Sequence, residues 1–232
     1  MTAHITDSGE VHHIKNVLRL KPQNQIIVFN GRGQEALATI MTLSRNAVKI
    51  SIDQTIVSET IERKKLILAC AIPKKAKFES IIEKSTELGV DEIIPLKTQR
   101  TIFEMGEKDV LKKKLRYQTV AINAAKQSHR SNIPLIHPII SFKDSMKVPT
   151  SQDKAFIFCL IGERKNLRSA LQELKNPLRL FFFIGPEGDF TGEEIQLALQ
   201  SGCQPVSLGP NVLKVDTAVV SVISFTKLYL DE

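Results

Sequence analysis

Two apolar runs constrain the fold more than anything else in the chain. Leu66-Ile67-Leu68-Ala69-Cys70-Ala71-Ile72 contains no polar residue, and Leu178 to Ile184 contains only Arg179. A strand with one wet face alternates apolar and polar side chains. A continuous run of this length reads instead as a strand covered on both faces, the situation of a parallel sheet. Helical patterns alternate with these and other strand patterns. Phe78, Ile81, Ile82, Ser85 and Leu88 follow helical period, with Gly89 as a stop; Glu92 to Leu96 reads as a strand; Lys108 to Gln127 reads as a long basic helix. Ala155 to Leu160 is a strand, Leu167 to Leu174 a helix, Thr191 to Ser201 a helix, Pro205 to Leu208 a strand and Thr217 to Leu230 an apolar helix. The alternation predicts a parallel α/β sheet from residue 66 onward.

Residues 1–65 carry a different pattern. Ile14, Val17 and Leu18 sit at helical spacing in a turn that Lys21-Pro22 should end. Ile26 to Phe29, Glu35 to Leu43 and Ala47 to Ile56 read as strands, joined by Asn30-Gly31-Arg32-Gly33, a strong hairpin signal, and by Ser44-Arg45-Asn46. Val48, Ile50 and Ile52 alternate with polar neighbours, which gives one buried face. The expectation is a small antiparallel barrel or meander over 1–65, a boundary at Glu62-Arg63-Lys64-Lys65, and a larger domain over 66–232.

The formal charge of +7 is unevenly placed. Residues 1–65 hold nine Lys/Arg against six Asp/Glu, residues 66–150 fifteen against nine, and residues 151–232 eight against ten. A basic first two-thirds, with the stretch Lys74 to Lys147 the most basic, suits a polyanion partner, whereas the acidic last third has other work. A solvated lysine-rich helix face would explain the same charge, and charge alone does not decide. Cys70, Cys159 and Cys203 lie far apart among apolar neighbours, with no C-x-x-C and no zinc spacing. An odd cysteine count, and no signal pattern in Met1 to Asp7, fit a reducing cytoplasm, buried thiols and no metal. No apolar run nears the ~20 residues of a membrane span.

Three segments could carry chemistry. In Phe183-Ile184-Gly185-Pro186-Glu187-Gly188-Asp189-Phe190-Thr191, a buried strand ends in a loop with two glycines, and Thr191 with Glu194 makes a capping box. Ligands of open α/β sheets bind outside the carboxyl ends of strands, and glycines there let backbone amides approach them. Neither a Walker lysine nor a G-x-G-x-x-G is present, so a phosphate cradle is not indicated. The second segment, Leu208-Gly209-Pro210-Asn211-Val212-Leu213-Lys214-Val215-Asp216-Thr217, is another strand end, with Asp216 or Thr217 as the expected helix cap. The third, Ala124-Ala125-Lys126-Gln127-Ser128-His129-Arg130, closes the basic helix, where Arg130 could simply bind last-turn carbonyls.

Taken together, these segments resemble a known family. Ile184-Gly185-Pro186-Glu187-Gly188-x-Phe190-Thr191-x-x-Glu194-Ile195 and Leu208-Gly209-x-x-Val212-Leu213-x-x-x-Thr217-Ala218 resemble the two signatures of the small-subunit ribosomal RNA uridine-N3 methyltransferases, the RsmE-type members of the SPOUT superfamily. His12-His13-Ile14-x-Asn16-Val17-Leu18-Arg19-Leu20 resembles the N-terminal signature. Lys84-x-x-Glu87-Leu88-Gly89-Val90, Pro95-Leu96 and Ala124-Ala125-x-Gln127-Ser128-x-Arg130-x-x-Ile133-Pro134 resemble the middle ones. The chain departs from the pattern at Asp189, where the family usually has glycine, and at Lys214-Val215-Asp216, where it usually has Arg-Thr-Glu.

The resemblance implies a PUA-like β-barrel for RNA, then an α/β domain whose chain end is tied in a trefoil knot. It implies S-adenosylmethionine as donor, a homodimer that completes each site, and a substrate uridine in 16S ribosomal RNA of the 30S subunit. Carried onto this chain, the donor would be held around Leu160, Ile184, Gly185, Glu187, Gly188, Leu208, Gly209, Val212, Leu213 and Thr217. Glu187 is a candidate base or partner of the donor ammonium. Arg130 would stabilise the uracil anion or a phosphate, in its own chain or across the dimer. Arg19, Arg32, Lys126, Gln127 and Arg130 are the candidate RNA contacts. An RNA-binding assembly factor of the same fold without methyl transfer is the alternative.

Overall fold

A computed structural model of the chain describes residues 1–57, 64–73, 78–101 and 106–231. Glu62 and Arg63 of the expected boundary, and Lys74, Lys75 and Lys77 of the basic stretch, lie outside the described residues. The chain divides into two compact units, Met1–Ile61 and Glu62–Glu232.

In the first unit, β1 (Thr2–Ile5), β2 (Gln25–Phe29), β3 (Gln34–Leu43) and β4 (Val48–Val57) form an antiparallel sheet in the order β1-β4-β3-β2. Of the expected barrel or meander, the structure shows the meander β2-β3-β4 with β1 paired on β4, and among the described residues no ladder joins β2 to β1 to close a barrel. Helix α1 (Ser8–His12) runs on as one π-helical stretch, His13–Val17. Pro22 does not end it. Arg19 does, in the left-handed region at φ 52°, and the Leu20 amide then closes back on the Ile14 carbonyl at 3.0 Å. Val11 and Ile14 pack on Ala38, Ile40, Val48 and Ile50, the inward face that the alternation predicted.

The second unit holds β5 (Lys65–Ala71), α2 (Phe78–Glu87), β6 (Glu92–Lys97), α3 (Glu107–Gln127), β7 (Leu135–Ile136), β8 (Ile140–Ser141), α4 (Phe142–Ser145) and β9 (Lys154–Phe158). β10 (Lys165–Asn166), α5 (Leu167–Gln172), β11 (Arg179–Ile184), α6 (Gly192–Gln200), β12 (Gln204–Ser207) and α7 (Val215–Leu230) follow. Every strand pair is parallel, in the order β10-β12-β9-β11-β5-β6-β7, with β8 also on β6. The period-2 rule sorts the apolar runs onto two faces. Leu66, Leu68, Cys70 and Phe182 face α2, α3, α5 and α7, whereas Ile67, Ala69, Phe181 and Phe183 face α4 and α6. The sheet is thus covered on both sides, as the unbroken runs required.

The amino ends of the strands are tied by charge. Arg179 Nε and Nη2 donate to the two oxygens of Asp153 at 3.0 and 2.7 Å, joining β11 to the residue before β9. Burial pushes the Asp153 carboxyl up, but hydrogen bonds from Arg179 and Thr150 outweigh it and hold the group below its ordinary range. A carboxylate lowered in the fold contributes stability above its unfolded pKa, about 3.9, and loses it as pH falls through the lower folded value. The gap in urea midpoint between wild type and Asp153→Asn should therefore narrow as pH drops below about 4.

Candidate active site

The carboxyl ends of β12, β9 and β11 lie side by side, with β9 in the middle. The chain leaves β11 on one side of β9 and comes back as β12 on the other, the kind of switch point at which open α/β sheets bind ligands. A shallow cleft opens there. From β9 come Phe158, Cys159, Leu160 and Arg164; from β11, Ile184, Gly185, Pro186, Glu187 and Asp189; from β12 and the segment after it, Leu208, Gly209, Val212 and Leu213. Val215 and Ala218 close it from the first turn of α7.

Eight of the ten residues expected around a donor therefore meet in one cleft. Gly188 and Thr217 do not line it. The Gly188 carbonyl turns away to accept from Arg100 Nη1, and Thr217 points outward from α7, one helical position before the lining Ala218. The expected cap of α7 also shifts. The helix starts at Val215 with Lys214 as N-cap and no side-chain cap bond, while Asp216, inside the first turn, reaches Lys84 at 3.7 Å.

The loop after β11 is held from several directions. Thr191 and Glu194 form the expected capping box, and Glu194 Oε1 also accepts from the Gln99 amide at 2.9 Å. Arg100 Nη1 reaches the Asp189 and Phe190 carbonyls at 3.5 Å as well. Sequence reasoning missed Arg100. The available signal was its place just beyond β6, at the same edge of the sheet as the other strand-end loops. A Cβ on Gly185 would stand 3.1 Å from the Phe190 amide and 3.2 Å from its ring. Phe190 is buried and cannot yield cheaply, so Gly185→Ala should displace the loop and raise the dissociation constant for the expected donor by about tenfold, read by calorimetry.

Charge in the cleft is mainly acidic. Glu187 and Asp189 line it together with one guanidinium, that of Arg164, whose Nη1 donates to the Cys159 carbonyl at 3.0 Å. Burial, then the Asp189 charge, push the Cys159 thiol up; burial and Glu187 do the same to Cys70. Burial pushes Cys203 up to about 12, so all three thiols stay protonated and unreactive. Among the described residues no group of three His, Cys, Asp or Glu is arranged to hold a metal ion, and no helix is long and apolar enough to cross a membrane.

None of the RNA candidates lines the cleft. Arg19 and Arg32 are exposed in the first unit, and Gln127 is exposed at the end of α3. Lys126 and Arg130 are half-buried there. His129, at φ 55°, reverses the chain so that Arg130 Nη1 reaches the Thr86 and Val90 carbonyls, the latter at 3.1 Å. The Arg130 side chain thus binds the Thr86 carbonyl in the last turn of α2 and the Val90 carbonyl just after it, while its amide donates to the Ala125 carbonyl of its own helix at 2.8 Å. Those carbonyls precede β6, at the amino edge of the sheet. At ~3.3 Å per residue, the six residues of β11 separate that edge from the cleft by roughly 20 Å.

Residues 60–227 match the RNA methyltransferase domain family, and residues 5–53 match the RNA methyltransferase PUA domain. The chain is 30% identical over 223 residues to the ribosomal RNA small subunit methyltransferase E of Bacillus subtilis, covering 93% of this chain and 86% of that protein. It is 32% identical over 214 residues to the protein of that name from Mesomycoplasma hyopneumoniae, covering 92% and 89%. The solved ribosomal RNA small subunit methyltransferase E of Neisseria gonorrhoeae, bound to S-adenosyl methionine, is similar with a TM-score of 0.85 and 27% identity, over 99% of this chain and 92% of that one. A Legionella pneumophila chain solved with the same cofactor bound has a TM-score of 0.87 and 28% identity, with the same coverage.

Proposed function

The chain belongs to the RNA methyltransferase family, and from that premise we propose that it transfers a methyl group from S-adenosylmethionine to N3 of one uridine in the 16S ribosomal RNA of the 30S subunit. The observation that carries this reading is the convergence of eight expected donor contacts, from three adjacent strand ends, in one cleft. The cleft suits such a donor. Leu160, Val212 and Leu213 supply apolar walls for a nucleoside, and Glu187 supplies negative charge for a cationic ligand.

The bound donor supplies an electrophilic methyl on a sulfonium sulfur. The chain's task is then to align the nucleophile and free its lone pair. Uracil N3 carries a proton, so a base must take it. Glu187 is assigned this role: it is exposed at the cleft and follows the Gly185-Pro186 turn. The anion left on O2 and O4 calls for a positive group. Arg130 is assigned that role from the partner protomer of a homodimer, since in its own chain it lies at the opposite sheet edge. N3 is on the Watson–Crick edge, so the target must be unpaired or flipped out.

The reading includes a SPOUT-type trefoil knot. In its support, the chain crosses from β11 over β9 to β12 before returning along α7. It assigns RNA binding to the PUA-like unit over 1–65, with Arg19 and Arg32, and methyl transfer to 66–232, with Lys126 and Gln127 beside the RNA. The protein would work in the cytoplasm. Unmodified 30S particles incubated with labelled donor should take up one methyl and give a reverse-transcription stop at a single uridine, because N3-methyl blocks pairing. Particles left unlabelled would overturn the reading. Donor binding by calorimetry without any transfer would favour an RNA-binding assembly factor instead.

A further inference from the structure

We propose that Asp189 is a positioning residue that latches the loops after β9 and β11 together across the donor cleft. The inference rests on reading that cleft as the donor site. Asp189 sits at φ 62°, in the left-handed region that a glycine occupies freely and a side chain occupies at a cost. Its carboxylate makes use of that conformation. Oδ2 accepts from the Leu160 amide at 2.8 Å, and Oδ1 accepts from the Phe190 amide at 2.8 Å. Leu160 is the second residue beyond β9, and Phe190 is the buried residue that seats the segment after β11. The other side-chain hydrogen bonds around 160–164 stay local. Arg164 Nε donates to the Gly162 carbonyl at 3.2 Å, its Nη1 to the Cys159 carbonyl at 3.0 Å, and Cys159 Sγ to the Ile161 carbonyl at 3.5 Å.

Arg100 holds the same β11 loop from its other side through backbone carbonyls, and it makes no hydrogen bond to the β9 segment. Asp189 is thus the side chain that spans the gap between two cleft walls, and it does so with bonds to an ionised acceptor, which are stronger than neutral ones. A glycine here would relax the backbone and free the Leu160 amide, and the Leu160 wall would have to be ordered by the donor at the moment of binding. Asp189 orders it beforehand.

Asp189→Gly separates the latch from mere stability, since it deletes the carboxylate while relieving φ. The melting temperature should hold or rise. The dissociation constant for S-adenosylmethionine, measured by calorimetry, should rise about tenfold, equivalent to about 1.4 kcal/mol. KM for the donor should rise with it, while kcat at saturating donor changes less than about threefold. Asp189→Asn keeps one acceptor oxygen and should fall between the two. A glycine variant that binds donor within about twofold of wild type, or one whose melting temperature falls in step with its affinity, overturns the latch. Wild-type protein that binds no donor overturns the reading of the cleft itself, and the latch with it.

Discussion

Glu187→Gln lowers kcat for methyl transfer by about 100-fold or more, the loss expected when a general base is removed, while donor affinity stays within a few-fold. The substitution keeps the size and removes the charge. Glu187 is exposed at the cleft, on the loop leaving β11, and its charge is felt by Cys70 at the carboxyl end of the neighbouring β5. That position puts the carboxylate at the surface of the cleft. Single-turnover transfer to 30S particles, beside donor calorimetry, reads the two effects separately. A rise in donor Kd with unchanged kcat would make Glu187 the partner of the donor ammonium and refute its role as base.

Phe182→Ala removes about 3–5 kcal/mol from the stability of the second unit. The side chain is fully buried, with ring centroids 5.9 Å from Phe156 and 6.3 Å from Phe158. These rings lie in the sheet under α5 and α7, on the strands whose ends form the cleft. For a unit of this size each kcal/mol shifts the melting temperature by roughly 2–4 °C, so the loss is on the order of 10 °C. Leu178→Ala, at a side chain 62% exposed, should cost less than about 0.5 kcal/mol. The core around Ile40, Val48 and Ile50 is a separate cluster, and its own unfolding should not move. Urea unfolding followed by amide exchange distinguishes the two units.

Much of this was legible because it is local. The period-2 sorting of Leu66 to Ala71 follows from chain geometry alone, as do the Thr191/Glu194 box and the turn at Asn30-Gly31. The cleft was legible in part, through glycines placed just after strands. Thr217 and Gly188 stand just outside the cleft lining, since the cap at Lys214 has no side-chain signature to read and the turn of the Gly188 carbonyl depends on Arg100, 88 positions away. Arg130 stands the length of the sheet from the cleft in its own chain. The pattern at the end of α3 identifies a helix terminus, but not which edge of the sheet it meets.

The sequence by itself determined the elements, the two-sided burial of β5 and β11, and which strand ends carry glycine loops, since each depends on residues a few positions apart. Tertiary structure decided that β12 lies beyond β9 from β11, which brings Leu208 and Leu213 alongside Leu160 and Ile184. It also decided that the Asp189 carboxylate meets the Leu160 amide and that Arg130 is turned to the far edge. Strand order and loop contacts are pairings between distant segments. Their free energy resides in hydrogen bonds and packing that form only once the chain has closed on itself, and no one-dimensional periodicity records them.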